Sequence, residues 1–171
     1  MDKSNRIKIV VLGSFAAGKT SICQKYVNGK FDEKYLTTVG VKVYEKEILS
    51  PQKILLSIWD IANDCVTNVT PIEYLKGAQA ALIVADLTKQ SSVKEISLHM
   101  DMVLQVNKNI KAILVLNKID LHPTWEDGLA TAKEIMQAYS NNWIAEPFVI
   151  SAKDDEFDNI FMEIVKSIIG G

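Results

Sequence analysis

The sequence predicts an α/β domain, a mixed sheet of six strands with five helices on both of its faces. Three observations predict it. Apolar runs of strand length alternate with segments of helical period, the pattern of a sheet wound with helices. Two of the runs, Ala80–Ala85 and Lys111–Leu116, are apolar almost throughout rather than alternating, as strands buried on both faces require. The stretch Gly13-Ser14-Phe15-Ala16-Ala17-Gly18-Lys19-Thr20 follows a first run, Ile7–Leu12, and opens a helical segment. Strand, glycine-bounded turn, Lys-Thr and helix form the context in which G-x-x-x-x-G-K-[ST] cradles phosphate.

In order along the chain, the first helix runs from the Lys-Thr pair to Asn28, with Gly29 as its C-cap. Residues 31–39 are polar and irregular and lead into a strand from Gly40 to Leu49. Ser50-Pro51-Gln52 reads as a hairpin turn and Lys53–Asp60 as the returning strand, the one antiparallel pair. Polar residues 61–70 precede a short helix over Pro71–Lys76 that ends at Gly77. After the strand at Ala80, a helix over Ser92–Asn107 presents Val93, Ile96, Met100, Val103 and Leu104 on one stripe. After the strand at Lys111, Thr124 with Asp127 three residues on is a near capping box for a helix to Ser140. Pro147–Ile150 is a short strand, and Phe157, Ile160, Phe161, Ile164, Val165 and Ile168 mark the last helix.

Residues 1–171 fit one domain, large enough to bury a substantial core. A net charge of −2 offers no basic stripe for nucleic acid, so none is expected as a partner. Cys23 and Cys65 have no metal-ligand spacing and no disulfide framework, which fits a reducing cytoplasmic setting. The polar start is neither a signal peptide nor a myristoylation site, and no run of about eighteen apolar residues would span a membrane.

The motifs give the chemistry. Gly13 and Gly18 let the backbone curl so that successive N–H groups converge on one anion. The helix opening near Lys19 adds the positive end of its dipole, Lys19 a charge for the outer phosphates, and Thr20 a hydroxyl for Mg²⁺. Asn117-Lys118-Ile119-Asp120 ends a buried strand, where open α/β sheets hold ligands. Asp120 there can accept two hydrogen bonds from the adjacent N–H and NH₂ of guanine, an edge that adenine lacks. Ser151-Ala152-Lys153, after another strand, can bring a backbone N–H to a base carbonyl.

Taken together and in order, these residues resemble a Ras-superfamily small GTPase, most similar to the Rab branch. Leu12-Gly13, Thr38-Val39-Gly40-Val41, Ile58-Trp59-Asp60, Tyr74-Leu75-Lys76-Gly77-Ala78, Asn117-Lys118-Ile119-Asp120 and Ser151-Ala152-Lys153 carry the resemblance across the whole chain. It implies a P-loop G domain that binds GTP or GDP with Mg²⁺ and meets protein effectors and regulators through two switches, residues 31–41 and 60–75. By the same resemblance the nucleotide contacts are Gly13 to Thr20, Ser21, Phe31, Thr38, Asp60, Asn63, Asn117, Lys118, Asp120 and Ser151 to Lys153. Lys19 and Thr38 would serve catalysis, and Thr20, Thr38 and Asp60 would serve the metal. Trp59 would belong to an effector-facing patch, reduced because Thr67 replaces an aromatic.

The chain departs from the family at two places. The second switch reads Asp60-Ile61-Ala62-Asn63-Asp64 where the family has Asp-x-Ala-Gly-Gln, so the water-orienting glutamine is Asp64. Phe15 stands in the phosphate loop where an arginine finger enters. Slow or atypical hydrolysis is therefore expected, with two alternatives. One is a nucleotide-locked module presenting a fixed surface to partners. The other is a different P-loop enzyme, such as a nucleotide kinase, against which Asp120 and the hairpin argue. His99 and His122 suggest no catalysis, and Cys65 is a reactive-thiol candidate only if its pKa is depressed. The sequence closes on Ile168-Ile169-Gly170-Gly171 without prenylatable cysteines, so no membrane anchor is expected in this chain, although the resemblance implies recruitment to membrane surfaces.

Overall fold

The computed structural model describes residues 6–29, 40–62, 71–122 and 124–170. Its strands are β1 (Arg6–Gly13), β2 (Val41–Ser50), β3 (Gln52–Ile61), β4 (Ala80–Asp86), β5 (Lys111–Asn117) and β6 (Phe148–Val149). Its helices are α1 (Lys19–Asn28), α2 (Pro71–Leu75), α3 (Gln90–Lys94), α4 (Ile96–Val106), α5 (Glu126–Gln137) and α6 (Asp158–Ile169). The sheet runs β2-β3-β1-β4-β5-β6. Every neighbour pairs in parallel except β2 with β3, which turn through Pro51 with Ser50 opposite Gln52.

Successive residues of β1 serve opposite faces, as the strand period demands. Ile7, Ile9 and Val11 join Ile22, Cys23 and Tyr26 of α1 and Ile160, Phe161, Ile164 and Val165 of α6. Val10 and Leu12 join Leu75, Val93, Ile96, Met100, Val103 and Ala132 from α2 to α5. Both faces are therefore covered, and β4 is buried at all seven positions. Tyr26 stacks on Phe161 with ring centroids 3.8 Å apart, locking α1 to α6 behind the phosphate loop.

The parallel pairing brings the carboxyl ends of β1, β3, β4 and β5 to one edge of the sheet. Val11 lies beside Asp60, Gly13 beside Val84, and Asp86 beside Asn117. That edge is where an open α/β sheet leaves a crevice for a ligand.

Four expectations need correction. The helix expected over 92–107 begins at Gln90 and is interrupted at Glu95, though Val93, Ile96, Met100 and Val103 of its stripe are buried and Leu104 partly so. The Thr124 capping box does not form: Glu126 opens α5, Trp125 stands at the N-cap without a side-chain bond, and the Thr124 N–H donates to His122 Nδ1 at 3.2 Å. Helix α5 also stops at Gln137, and β6 keeps only two residues. No helix among the described residues is long and apolar enough to cross a membrane.

Candidate nucleotide-binding site

The first shaped part is the loop between β1 and α1. Gly13 has φ 156°, and a Cβ there would overlap the backbone oxygen of Val84 on β4, so only glycine lets the loop leave the strand at this point. Ala16 turns left-handed at φ 59°, a conformation costing about 1–2 kcal/mol outside glycine and tolerated where surrounding contacts enforce it. Gly18 caps α1 at φ 102°, and no acidic residue occupies the helix's first turn. The helix start thus keeps N–H groups and dipole available for an anion. Lys19, 7% exposed, donates from Nζ to the carbonyls of Gly13 (2.8 Å) and Ser14 (3.0 Å), which bend its ammonium back over the loop.

Thr20 Oγ1 donates to Asp60 Oδ2 at 2.5 Å, so the first turn of α1 and the end of β3 meet through a hydroxyl and a fully buried carboxylate. Hard oxygen donors of this type suit Mg²⁺, which completes its octahedron with water and phosphate oxygens rather than a protein cage. Among the described residues there is no group of three or more His, Cys, Asp or Glu that could hold a metal ion.

The base end is assembled by Asn117. Its Nδ2 donates to the Ala17 carbonyl (2.8 Å), and its Oδ1 accepts from the backbone N–H groups of Lys118 and Ala152 (2.8 Å each). One amide therefore ties the phosphate loop, its own loop and the Ser151–Lys153 loop together. Asn117, expected among the nucleotide contacts, thus also holds the scaffold around them. Asp120, in the 3-10 turn Ile119–Leu121, is exposed. Asp155 Oδ2 accepts the Ser151 N–H at 2.7 Å and Asp154 Oδ2 the Ser151 hydroxyl at 3.1 Å, which shapes the last loop. Lys153 is exposed, while Ser151 and Ala152 are buried.

Sequence reasoning missed Asp86 and Ser92. Asp86 is wholly buried, pairs with Lys118 Nζ at 2.7 Å, and accepts from the Thr88 N–H (2.9 Å) and hydroxyl (2.6 Å). Burial alone would raise its pKa, but the Lys118 ammonium and the Thr88 donors outweigh burial and hold it below the ordinary value. Ser92 Oγ accepts the Asp86 N–H at 2.8 Å and bonds the Ser14 hydroxyl. A charged residue closing an otherwise apolar strand was the available signal for Asp86; Ser92 carried none.

On the outer face of β3, Trp59 lies opposite Val43 and 6.4 Å from the Tyr74 ring, with Lys8 Nζ 3.6 Å above its indole. Burial lowers the Lys8 pKa. Phe15 is 56% exposed at the mouth of the phosphate loop. Phe31, Thr38, Asn63, Asp64, Cys65 and Thr67 lie outside the described residues, as do most of the first switch and half of the second.

A glycine-bounded phosphate loop on a parallel sheet, with the Asn-Lys-x-Asp turn on the same edge, defines a P-loop nucleotide-binding domain. The model of the family described as "Ras family" matches residues 8–170, so the chain belongs to the Ras family, where it is a Rab-like small GTPase. It is 33% identical to Ras-related protein Rab-32C of Dictyostelium discoideum, over 98% of this chain and 75% of the relative. It is 30% identical to Ras-related protein Rab-28 of Caenorhabditis elegans, over 95% of this chain and 65% of the relative's length. With the Ypt/Rab-type GTPase YPT7 of Saccharomyces cerevisiae the identity is 27%, over 98% of this chain and 83% of the relative.

Proposed function

We propose that the chain is a Rab-like molecular switch that binds GTP and GDP with Mg²⁺, hydrolyses GTP slowly, and signals to protein partners at membrane surfaces in the cytoplasm. The observation that carries the binding half is the Asn117 clamp, which fixes the phosphate loop and the two base loops in one frame. In this reading Lys19 and the loop amides hold the phosphates, while Ser21, Phe31, Asn63, Lys118 and Lys153 add contacts around the nucleotide. The Asp120 carboxylate accepts from the guanine edge, and the Ala152 region meets the base carbonyl. The ion supplies charge neutralisation at the phosphates, with Thr20, Thr38 and Asp60 as its protein partners.

Slow hydrolysis follows from the groups at the reacting end. Phosphoryl transfer in such sites is mostly positioning and electrostatics. Asp64 has a shorter reach than glutamine and no N–H to offer the attacking water, and Asn63 replaces the glycine that gives its N–H to the γ-phosphate. Phe15, exposed at the loop, obstructs an incoming arginine. Val43, Trp59 and Tyr74 form the effector-facing patch, with Lys8 adding charge at its edge.

Two measurements on the purified chain test this reading. The co-purifying nucleotide should be GDP or GTP, and single-turnover GTP hydrolysis should run slower than in ordinary Rab-like domains. An adenine nucleotide in the site would overturn the binding half. A rate equal to that of ordinary members would overturn the catalytic half, and tightly held nucleotide with no turnover would favour the locked module.

A further inference from the structure

The two ends of the nucleotide site are joined by a closed ring of hydrogen bonds that no nucleotide contact requires. Ala17 N–H donates to the Ser14 carbonyl at 3.1 Å, and the Ser14 hydroxyl bonds the Ser92 hydroxyl. Ser92 Oγ accepts the Asp86 N–H at 2.8 Å, and the Asp86 carboxylate accepts Lys118 Nζ at 2.7 Å. The Lys118 N–H reaches Asn117 Oδ1 at 2.8 Å, and Asn117 Nδ2 returns to the Ala17 carbonyl at 2.8 Å. Asn117 forms one arm of this ring. The two serines, with Asp86, form the other.

Burial makes the second arm more than a surface decoration. Ser92 is 2% exposed and Asp86 0%, and Ser14 keeps only 8%. In such surroundings a missing partner leaves a polar group without water to replace it, and the links of a network support one another. The backbone at both corners of the ring is strained, Ala16 at φ 59° and Lys118 at φ 72°. Conformations of this kind persist only where neighbouring contacts over-determine them. The bond from the Ala17 N–H to the Ser14 carbonyl closes the turn that holds Ala16, and Asp86 grips Lys118, so the serine arm acts on both strained corners.

We infer that Ser14 and Ser92 are positioning residues for base selection: through Asp86 and Lys118 they hold the base loop in register with the phosphate loop, so that occupancy at one end sharpens discrimination at the other. This rests on the reading of Asp120 as the guanine acceptor. Ser14 lies at the phosphate end, and a purely local role there would weaken all nucleotides sharing the same phosphates by the same factor. A role through the ring changes the ratio between bases.

The probes are GDP and IDP, competed against a fluorescent GDP analogue on the full chain; IDP lacks the amine that would donate to Asp120. Ser14→Ala is the cleaner variant, because Ser92→Ala also leaves the buried Asp86 N–H without its acceptor. Each should lower the GDP-to-IDP preference by about threefold or more, the effect of a single lost hydrogen bond. The double variant should lose little beyond Ser92→Ala, since that change already breaks the link to Ser14. Ser92→Thr, which keeps the hydroxyl, should retain more of the preference than Ser92→Ala. Thermal unfolding in excess GDP confirms that each variant is folded. A wild-type preference for GDP that Ser14→Ala and Ser92→Ala leave unchanged, with both nucleotides weakened equally, overturns the coupling alone. A wild-type chain with no preference for GDP over IDP overturns the Asp120 reading and the coupling with it.

Discussion

A Cβ on Gly18 would overlap the Nδ2 of Asn117, so the second glycine of the phosphate loop is fixed by a residue 99 positions away on the base loop. Gly18 also turns at φ 102°, where L side chains rarely go. Gly18→Ala must therefore either displace Asn117, with loss of its bond to the Ala17 carbonyl, or distort the start of α1. The expected result is a loss of about 1–3 kcal/mol in stability, the range for an enforced backbone strain, with a larger fall in nucleotide affinity. Chemical denaturation of the nucleotide-free chain and a direct GDP titration separate the two effects.

Asp120→Asn should exchange guanine for xanthine preference. The carboxylate accepts from an N–H and an NH₂, while the amide can donate to the carbonyl that xanthine has in place of the amine. Sites built on such bonds reject analogues by up to about 10⁴-fold. Competition among GDP, XDP and ADP checks this, and comparable ADP and GDP affinity in the unmodified chain would refute the base assignment.

Removing the metal should accelerate nucleotide release. Thr20 and Asp60 lie within one hydrogen bond of each other, so a single ion can draw on both. Stopped-flow release of a fluorescent GDP analogue, with and without EDTA, gives the rate ratio. Thr20→Ala should release faster at the outset and respond less to EDTA.

Restoring the reacting end should restore hydrolysis in two stages. Asn63→Gly with Asp64→Gln should raise the intrinsic single-turnover rate. Adding Phe15→Gly should then recover sensitivity to an arginine-finger activator, a contribution of about 10³–10⁵ in rate when the finger reaches its target. Either repair alone should recover little of that sensitivity to an activator. Full activator sensitivity with Phe15 in place would show that the ring does not obstruct the approach.

His99 predicts a loss of stability in mild acid. It is 1% exposed on α4, both ring nitrogens lack hydrogen-bond partners among the described residues, and Glu95 Oε2 at 3.9 Å is too far to accept from it. Burial, with a smaller push from the Lys19 charge, lowers its pKa to about 4. The folded state therefore keeps the ring neutral while the unfolded chain gains a proton below about pH 6.5. Stability from this residue is complete above that pH and falls as the pH drops towards 4, by about 3 kcal/mol in all. Urea unfolding at pH 7 and pH 4.5 should show a slope that His99→Leu largely removes.

The fold was legible because its central strands β4 and β5 are apolar on both faces and its helices carry clean stripes; β4 and α6 left little room for another reading. Boundaries were less legible where local chemistry competed. Thr124 and Asp127 have the spacing of a capping box, yet the turn through His122 delays α5 to Glu126. The phosphate loop and Asp120 could be read because their chemistry depends on residue type and spacing. The roles of Asp86 and Ser92 could not, because they depend on which chain segments the parallel register brings side by side: Asp86 meets Asn117 only once β4 and β5 pair. The same holds for His99, whose burial is a property of the packed face and not of the helix that bears it.

The Asn117 amide has a direction. Its nitrogen faces a carbonyl and its oxygen faces two N–H groups, so a half-turn of the side chain would set like against like at all three contacts. An aspartate of the same shape would satisfy the two N–H groups but press an oxygen against the Ala17 carbonyl. Shape alone is thus not what this position selects; it is a keyed joint between three loops far apart in sequence, and it accepts them in a single arrangement.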